Sequence, residues 1–361
     1  MQKIQSTTPK RAIVGTTEHD LRDFCREHGF DEFHGSQIFH WIYRLGAGSF
    51  DEMSDLPTTL RQELASRFQL SIMPPAEKRI SQGGDAVKYR FSLSPDLSIE
   101  AVVLLARHNR PSFCISSQVG CPIGCLFCAT GSMGFIRNLT REEIIAQVVS
   151  LSRLHTRPQS VLFMGMGEPL LNLENLTGAL TFFNEIDLSC KRITVSTCGV
   201  VPGIMGLAGS GLRPRLAVSL GSALDEKRRE LIPLAGKWPL GELEKAILLY
   251  REKTRRRVSI EITLLRGIND TGEDARALAR FAGRCRCHVN LIRYNRVDGK
   301  HYLPPDTKTV KRFRSVLQNA RVEVSERYRK GADIEAACGQ LAVQRANKTA
   351  SHADDGPSNG V

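Results

Sequence analysis

Aromatic residues are scarce in this chain, and it has no long apolar run. Phe, Trp and Tyr make up only 6% of its 361 residues. We therefore do not expect an aromatic-rich platform for stacking single-stranded nucleic acid. No apolar run is long enough to cross a bilayer, and the polar, basic residues 1–11 lack the hydrophobic stretch of a signal peptide. These absences favour a cytoplasmic protein.

The chain has ten cysteines, and its sequence shows no secretory signal. That combination favours reduced thiols that bind metal or take part in catalysis over a disulfide scaffold. The hydrophobic content of 41% in 361 residues is enough to bury a large core. Ordinary domain sizes then suggest one large domain and a smaller one.

Positive charge is in excess, with a formal net charge of +12 and a pI near 9.4. The excess is concentrated at residues 251–257, 284–296 and 311–330. Such stretches favour a polyanionic partner, RNA or DNA, although solvated helix faces would give the same pattern.

Three amphipathic segments near residues 18–28, 36–45 and 58–68 predict a small helical domain at 1–85, for which we expect an accessory RNA-binding role. Two alternating segments then predict a β-hairpin extension at 86–106. The polar tail at 344–361 has the composition of a disordered segment.

Strand and helix patterns alternate through residues 107–343. A capping box at Thr140–Glu143 predicts a helix to about residue 154. Apolar strand candidates lie at 113–117, 160–164, 192–197, 215–220, 258–264 and 288–292. Six such units predict an α/β fold, an incomplete parallel (βα)6 barrel, whose active site would lie at the carboxyl ends of the strands.

Cys121, Cys125 and Cys128 form a CxxxCxxC motif. Three thiolates leave one iron of a four-iron cubane open to chelate a small molecule such as S-adenosylmethionine. A structural zinc site is the alternative, and it needs a fourth ligand. The chain offers Cys114, His155 and the group Cys285, Cys287 and His288, so the spacing alone leaves both sites open.

A glycine-rich turn at residues 165–169 follows one apolar strand. Small residues there let the backbone approach a ligand, and Glu168 can accept a hydrogen bond from an ammonium group. A purely structural turn would have the same composition.

Several longer segments carry a family resemblance that spans residues 15–341. They read GSQIFHWIY, FDEMSDLP, SSQVGCPIGCLFCATGSMGFIRNLT, FMGMGEPLLN, RITVSTCGVVPGI and GADIEAACGQL. With them the chain resembles the RlmN/Cfr family of radical S-adenosylmethionine RNA (adenine) methyltransferases. The resemblance implies a radical SAM barrel fold, one 4Fe-4S cluster on the three motif cysteines, and S-adenosylmethionine as cofactor.

The family's cofactor-binding positions match a set of residues at predicted strand ends. The resemblance implies that the turn holds the methionine amino group and that the others contact ribose, adenine and carboxylate. The matching residues are Gly167, Glu168, Ser196, Ser219, Leu220, Gly221 and Asn295.

The resemblance also implies a catalytic relay. One S-adenosylmethionine methylates Cys338, and a second is cleaved to a radical that takes hydrogen from this methyl group. The carbon then joins an adenine ring carbon, Glu100 removes the ring proton, and Cys114 releases the product by forming a disulfide with Cys338. Without the resemblance, Glu100 in its alternating strand would be expected to face solvent, and Cys338 to be a small core residue.

Three departures from the family pattern indicate a divergent paralogue. Gly221 stands where the family has histidine, Cys198 where it has serine, and Asn295 lacks its usual flanking prolines. The implied target is carbon 2 of an adenosine in 23S rRNA, with tRNA as a second substrate. The alternatives are carbon-8 methylation of the resistance type and a noncatalytic, metal-containing RNA-binding protein. We expect a monomer served by an electron donor such as flavodoxin or ferredoxin.

Overall fold

The computed structural model describes residues 10–70, 72–105, 110–327 and 330–342. Its first part is helical, as the amphipathic segments predict. A capping box opens the first helix, because Thr17 and Asp20 each accept a hydrogen bond from the other's backbone N–H. The elements are β1 (Arg11–Ala12), α1 (Glu18–Glu27), α2 (Phe33–His40), which continues as a π-helix over Trp41–Leu45, α3 (Thr58–Arg67) and β2 (Phe68–Gln69).

Aromatic packing and backbone contacts join these helices to the rest of the chain. The ring of Tyr43 lies 5.1 Å from that of Phe182, and its hydroxyl accepts a hydrogen bond from the N–H of Gly15 at 2.8 Å. Arg141 donates to the carbonyl of Gly15 at 3.0 Å. The N-terminal helices therefore have a fixed position against the central sheet.

A three-stranded antiparallel ribbon follows, made of β3 (Pro75–Ile80), β4 (Ala86–Ser94) and β5 (Leu97–Leu104). The predicted hairpin supplies β4 and β5, and β3 is an addition. Its sequence, PAEKRI, has no regular apolar alternation, since it lies at the edge of the sheet and stays largely exposed.

Strands and helices alternate after the ribbon. In chain order they are β6 (Ser112–Cys114), β7 (Gln118–Gly120), α4 (Ala129–Ser132), β8 (Phe135–Asn138), α5 (Arg141–Leu154), β9 (Ser160–Phe163), α6 (Leu173–Glu185), β10 (Ile193–Thr197), α7 (Val201–Gly209), β11 (Arg215–Ser219), α8 (Asp225–Leu231), α9 (Leu240–Thr254), β12 (Val258–Leu264), α10 (Gly272–Cys285), β13 (His288–Arg293), α11 (Thr307–Asn319) and β14 (Val324–Glu326).

One sheet gathers ten of the described strands in the order β14-β13-β12-β11-β10-β9-β6-β5-β4-β3. The seven strands from β6 to β14 in this order are parallel, and the ribbon continues the sheet in antiparallel pairing. This arrangement confirms the predicted α/β partial barrel, with the six predicted strands in place. The sequence did not reveal β14, because three residues with one apolar side chain give too weak a pattern.

Helix capping follows the sequence signals. Thr140 and Thr271 each cap a helix with a full capping box, and α10 ends at Arg286 in the left-handed conformation.

Among the described residues, no helix is both long and apolar enough to span a bilayer. The predicted disordered tail at 344–361 lies outside the described residues.

A cysteine-lined cavity at the carboxyl ends of the strands

The loop with the three motif cysteines begins directly after β7 and lies between β7 and β8, which pair with each other as a small antiparallel hairpin. At Gly120, where φ is +74°, a Cβ would lie 1.9 Å from the carbonyl oxygen of Gly134, so only glycine lets the two backbones meet. The N–H of Cys121 donates to that same oxygen at 2.9 Å. The hairpin thereby fixes where the loop begins.

Cys121, Cys125 and Cys128 all line one cavity at the carboxyl ends of the parallel strands, called here the mouth cavity. Burial raises the pKa of Cys121 to about 12 and that of Cys125 well above its ordinary value. Such thiols stay protonated near neutral pH unless a cation is close, and a bound metal deprotonates its cysteine ligands. Three partly buried thiols that line one cavity therefore fit a metal cluster.

Two of the candidate fourth ligands for zinc, His155 and the group Cys285, Cys287 and His288, do not line the mouth cavity, whereas Cys114 lies near it, as described below. The ring of His155 is hydrogen-bonded to the hydroxyl of Tyr89 at 2.8 Å. Cys285 and Cys287 flank the turn from α10 into β13, at the amino end of that strand. Within the described ranges, no three His, Cys, Asp or Glu side chains, the three motif cysteines included, are grouped closely enough to hold one metal ion. This spacing argues against a single zinc ion, whereas in a four-iron cluster each cysteine binds a different iron, so the three thiols need not converge on one point.

The glycine-rich turn after β9 forms one wall of the mouth cavity. Gly167 has φ +99°, and a Cβ there would lie 2.5 Å from the Cβ of Gln118. Glu168 is 4% exposed, and its two carboxylate oxygens accept from the N–H groups of Cys198 at 2.8 Å and Leu170 at 3.1 Å. Burial raises the pKa of this carboxyl group. The turn thus places a fixed acceptor beside the cysteine loop.

Neighbouring strand ends complete the same wall. Ser196 and Ser219 lie on the paired strands β10 and β11 with their hydroxyl oxygens 3.4 Å apart. Gly221 also lines the cavity with φ +72°, and a Cβ would lie 2.8 Å from the side chain of Ile232. A histidine at this position would be strained and would have to displace Ile232. Leu220 is fully buried and does not line the cavity.

The C-terminal residues 330–342 cross the mouth as a strap. The carbonyl of Gly339 accepts from the N–H of Ala129 at 2.8 Å, and that of Leu341 accepts from the hydroxyl of Thr130 at 2.6 Å. Both donors follow the cysteine loop directly. The strap therefore carries Cys338 to a position beside the three motif cysteines, where the residue is open to the mouth cavity while surrounding protein desolvates its thiol.

A second cavity adjoins the first beneath the strap and is called here the thiol cavity. Cys114, at the end of β6, lines it together with Cys338. The two cavities share Met164, Ile292 and Arg327 as well as Cys338. Two cysteines 224 positions apart in the sequence thus lie in one cavity next to the cysteine loop.

Arg327 is the residue of this site that the sequence did not reveal. It lines both cavities, and its guanidinium lies 3.4 Å from the sulfur of Met164 and 3.6 Å from a carboxylate oxygen of Glu261. Burial raises the pKa of Cys114 to about 12, whereas the charge of Arg327 acts to lower it. The sequence placed Arg327 in a basic stretch assigned to RNA contact. Because the short strand β14 before it was not predicted, no pattern in the sequence marked Arg327 as a site residue.

Asn295 and Glu100 lie outside the mouth cavity. Asn295 lines the thiol cavity and donates to the carbonyl of Cys338 at 3.2 Å. Glu100 is buried on β5, 3.1 Å from the ammonium group of Lys88, and accepts from the N–H of Ala342 at 3.0 Å. Burial raises the pKa of Glu100, while Lys88 acts to lower it. Its carboxylate faces the interior and the strap rather than solvent.

Comparison with known proteins agrees with this geometry. The model of the radical SAM superfamily matches residues 115–282, and that of the ribosomal RNA large subunit methyltransferase N-terminal domain matches residues 12–70. The probable dual-specificity RNA methyltransferase RlmN 2 of Protochlamydia amoebophila is 41% identical over 90% of this chain and 92% of its own length. The probable RlmN of Thermus thermophilus is 43% identical over 86% of this chain and 88% of its own.

A solved structure extends the likeness to the whole fold. A radical SAM methyltransferase from Sphaerobacter thermophilus matches with a TM-score of 0.87 and 38% identity, covering 92% of this chain and 99% of that one. The chain belongs to the RlmN family of radical S-adenosylmethionine RNA methyltransferases, enzymes that use a 4Fe-4S cluster and S-adenosylmethionine.

Proposed function

We propose that this enzyme methylates carbon 2 of an adenosine in 23S rRNA and in tRNA, with Cys338 as the carrier of the methyl carbon. The observation that carries the proposal is the place of Cys338, at the junction of the mouth cavity and the thiol cavity. A carrier must face the cofactor on one side and a second thiol on the other. Binding of RNA alone has no need of this pair of cysteines.

In this proposal Cys121, Cys125 and Cys128 hold the cluster. When bound, the cluster and S-adenosylmethionine supply the one-electron step that removes a hydrogen atom from a methyl group. Residues of the strand ends hold S-adenosylmethionine, with the carboxylate of Glu168 as acceptor for its ammonium group. Of the other residues in this set, Gly167, Ser196, Ser219 and Gly221 line the mouth cavity with Glu168, whereas Leu220 and Asn295 do not line it and would act by positioning their neighbours.

Cys338 acts first as a nucleophile. Its thiolate displaces the methyl group from the sulfonium, so that a C–S bond forms as the sulfonium's C–S bond breaks. The positive charge of Arg327 favours this thiolate, since it acts to lower the pKa of Cys338 against the effect of burial. After a hydrogen atom has been removed, the carbon held by Cys338 bonds to the adenine ring.

Release of the product falls to Cys114 and Glu100. Glu100 takes the ring proton, and the unpaired electron that radical addition leaves on the ring would pass to the one-electron couple that the bound cluster supplies, so that the ring regains a closed shell. Burial makes Glu100 a stronger base than an exposed carboxylate. The thiolate of Cys114 attacks the sulfur of Cys338, forming an S–S bond as the S–C bond breaks. The electron pair of that bond goes to the carbon, which takes a proton and becomes the product methyl group. A thiol reductant then restores both cysteines.

Substrate binding is assigned to the N-terminal region. We propose an accessory RNA-binding unit within residues 1–85, a ribbon extension at 86–106 and the catalytic core at 107–343. Structured RNA would be bound through phosphates and shape, with the target base turned out into the mouth. We further propose that the enzyme acts in the cytoplasm as a monomer, with flavodoxin or ferredoxin as electron donor.

Isotope labelling tests the carrier role. Reconstituted enzyme is given S-adenosylmethionine with a fully deuterated methyl group and unmodified RNA, and the product nucleoside is analysed by mass spectrometry. One deuterium is lost on hydrogen removal and one solvent proton is gained on release, so we expect a methyl group with two deuterium atoms at carbon 2. A methyl group that keeps all its deuterium would contradict the carrier role, and a label at carbon 8 would contradict the assigned position.

A further inference from the structure

A third cavity, of about 760 Å³, lies at the opposite end of the parallel strands from the mouth. It opens where β6, β9 and β10 begin, and the π-helical residues Trp41–Leu45 of the N-terminal region form one wall. Five arginines line it, from five separate places in the sequence. This arginine cavity is defined by Arg44, Arg110, Arg153, Arg157 and Arg192.

Negative charge in the lining is far smaller. Asp187 is the one carboxylate among the described lining residues, and it is paired with Arg44. Arg153 has a carboxylate oxygen of Glu52 at 3.7 Å. Arg110 and Arg192 are exposed. Among the described residues that line the cavity, five guanidinium groups thus accompany a single carboxylate.

The crowding of like charges is felt at Arg157. Burial is the main cause that lowers the pKa of its guanidinium, the charge of Arg44 lowers it further, and a smaller lowering by Arg192 is opposed by Asp187, which raises it. Arg157 also donates to the backbone carbonyl of Ile186, which fixes its position. An anion in the cavity would relieve this repulsion, and several arginines with planar, forked donors match the oxygens of phosphate groups.

We propose that the arginine cavity binds backbone phosphates of the RNA substrate, at a part of the RNA remote from the target adenosine. The proposal rests on RNA being the substrate, as set out above. The cavity has room for more than one phosphate group, and its wall is formed by the N-terminal helices to which RNA binding is assigned. An RNA held between these helices and the barrel would reach both ends of the strands.

The arginine cavity lies away from the mouth cavity, where catalysis is proposed. The four residues of β9 alone place about 13 Å of strand between the arginine cavity and the mouth. A short RNA hairpin that fills only the mouth would not reach the arginines. A full-length RNA would, so the cavity would add affinity only for the larger substrate.

The test uses the cluster-loaded full chain and the double variant Arg110→Gln/Arg192→Gln, which removes two exposed guanidinium groups. Affinity for full-length tRNA transcript is measured by fluorescence anisotropy over a range of KCl concentrations. Each lost phosphate contact lowers the salt slope by about 0.7 to 0.9, so we expect a slope smaller by about 1.4 to 1.8 and affinity about tenfold weaker at low salt. Affinity for a minimal hairpin carrying the target adenosine should not change.

Matched variants give the controls. Arg276→Gln/Arg280→Gln removes two exposed arginines of α10 that do not line the cavity, and it should bind tRNA as the unmodified enzyme does. Arg110→Lys/Arg192→Lys should keep most of the salt slope. The proposal is overturned if the glutamine variant binds tRNA like the α10 control, or if it loses affinity equally for the minimal hairpin.

A free anion is the rival source of phosphate. Pyrophosphate that binds the unmodified enzyme, depends on Arg110 and Arg192, and does not compete with tRNA would overturn the RNA assignment. Methyl product is measured in parallel on the unmodified enzyme. RNA binding that depends on the arginines without any methyl product would support the cavity and contradict the catalytic proposal, so the two failures are distinguishable.

Discussion

The two ends of the parallel sheet carry opposite chemistry. At the carboxyl ends, buried thiols, a buried carboxylate and small residues surround the mouth and thiol cavities. At the amino ends of β6, β9 and β10, arginines surround a larger opening. The first end has groups that form and break bonds, and the second has groups suited to hold an anion without reacting.

This difference also separates two kinds of cysteine and two kinds of arginine. Cys114 and Cys338 share a cavity with Arg327, whereas Cys285 and Cys287 are packed in the core where β13 begins. Arg228, near the carboxyl ends, is fully buried with both of its terminal nitrogens donating to backbone carbonyls, whereas Arg110 is exposed. Residue type alone therefore does not tell which member of a set takes part in function.

The largest effect is expected from Cys338→Ala. Loss of the proposed carbon carrier should lower methyl transfer by about a thousandfold or more, as removal of a covalent nucleophile does. The matched variant Cys285→Ala removes a buried thiol at the other end of the sheet and should keep activity near that of the unmodified enzyme. The measurement is the amount of methylated RNA per enzyme, determined by mass spectrometry for both variants. Equal losses of activity would contradict the assignment of catalysis to the carboxyl end of the sheet.

Cys114→Ala should stop the reaction one step later. Without the second thiol, Cys338 stays joined to the RNA, and we expect a covalent protein–RNA adduct that survives denaturation on a gel. The same adduct should form and decay in the unmodified enzyme. Because the pKa of Cys114 is about 12, its thiolate fraction rises about tenfold per pH unit near neutrality, and so should the decay rate from pH 7 to 9. A decay rate that falls with pH would argue against thiolate attack.

Substitution of two glycines near the motif cysteines distinguishes the effect of steric crowding on the cysteine loop from the effect of backbone strain. Gly120→Ala places a Cβ 1.9 Å from the carbonyl oxygen of Gly134, whereas Gly124→Ala has a similar φ of +71° and no atom within 4 Å. We expect Gly120→Ala to lose most of its bound iron and Gly124→Ala to keep it, at a cost of about 1 to 2 kcal/mol in folding free energy. Iron content after reconstitution is the measurement, and equal iron loss would mean that strain alone governs the loop.

The smallest effect concerns the buried arginine. Arg228 donates to the carbonyls of Cys198 at 3.0 Å, Ala235 at 3.1 Å and Trp238 at 2.8 Å. Arg228→Met leaves these acceptors unpaired and should lower the free energy of unfolding by about 3 kcal/mol. Arg110→Met at the other end should change it by less than about 0.5 kcal/mol. Urea denaturation of both variants tests this, and similar midpoints would contradict the assigned roles.

Local patterns in the sequence were enough for the barrel and for the residues at strand ends. Apolar strands, capping boxes and turn glycines are read over a few residues, so the sequence could assign Cys121, Glu168 and Ser196 to strand ends. The three residues line one cavity, and their roles there stay predictions. Short edge strands such as β3 and β14 carry little apolar pattern and were not predicted.

Long-range placement was the part that local patterns could not supply. The strap brings Cys338 to Cys114 through contacts with the cysteine loop and the loop after β13, and no local signal marks those contacts. The inward turn of Arg327 and the gathering of five arginines at the amino ends depend in the same way on tertiary contacts. Family resemblance named the two cysteines, and only the fold brings them into one cavity.

Nucleoside mass spectrometry of 23S rRNA and tRNA from a host that lacks its own enzyme is the most direct test of the central claim. The two RNAs are compared with and without expression of this gene, and with the Cys338→Ala variant. We predict 2-methyladenosine in both RNAs with the unmodified gene and none with the variant. Appearance of 8-methyladenosine, or unchanged adenosine in both RNAs, would contradict the account.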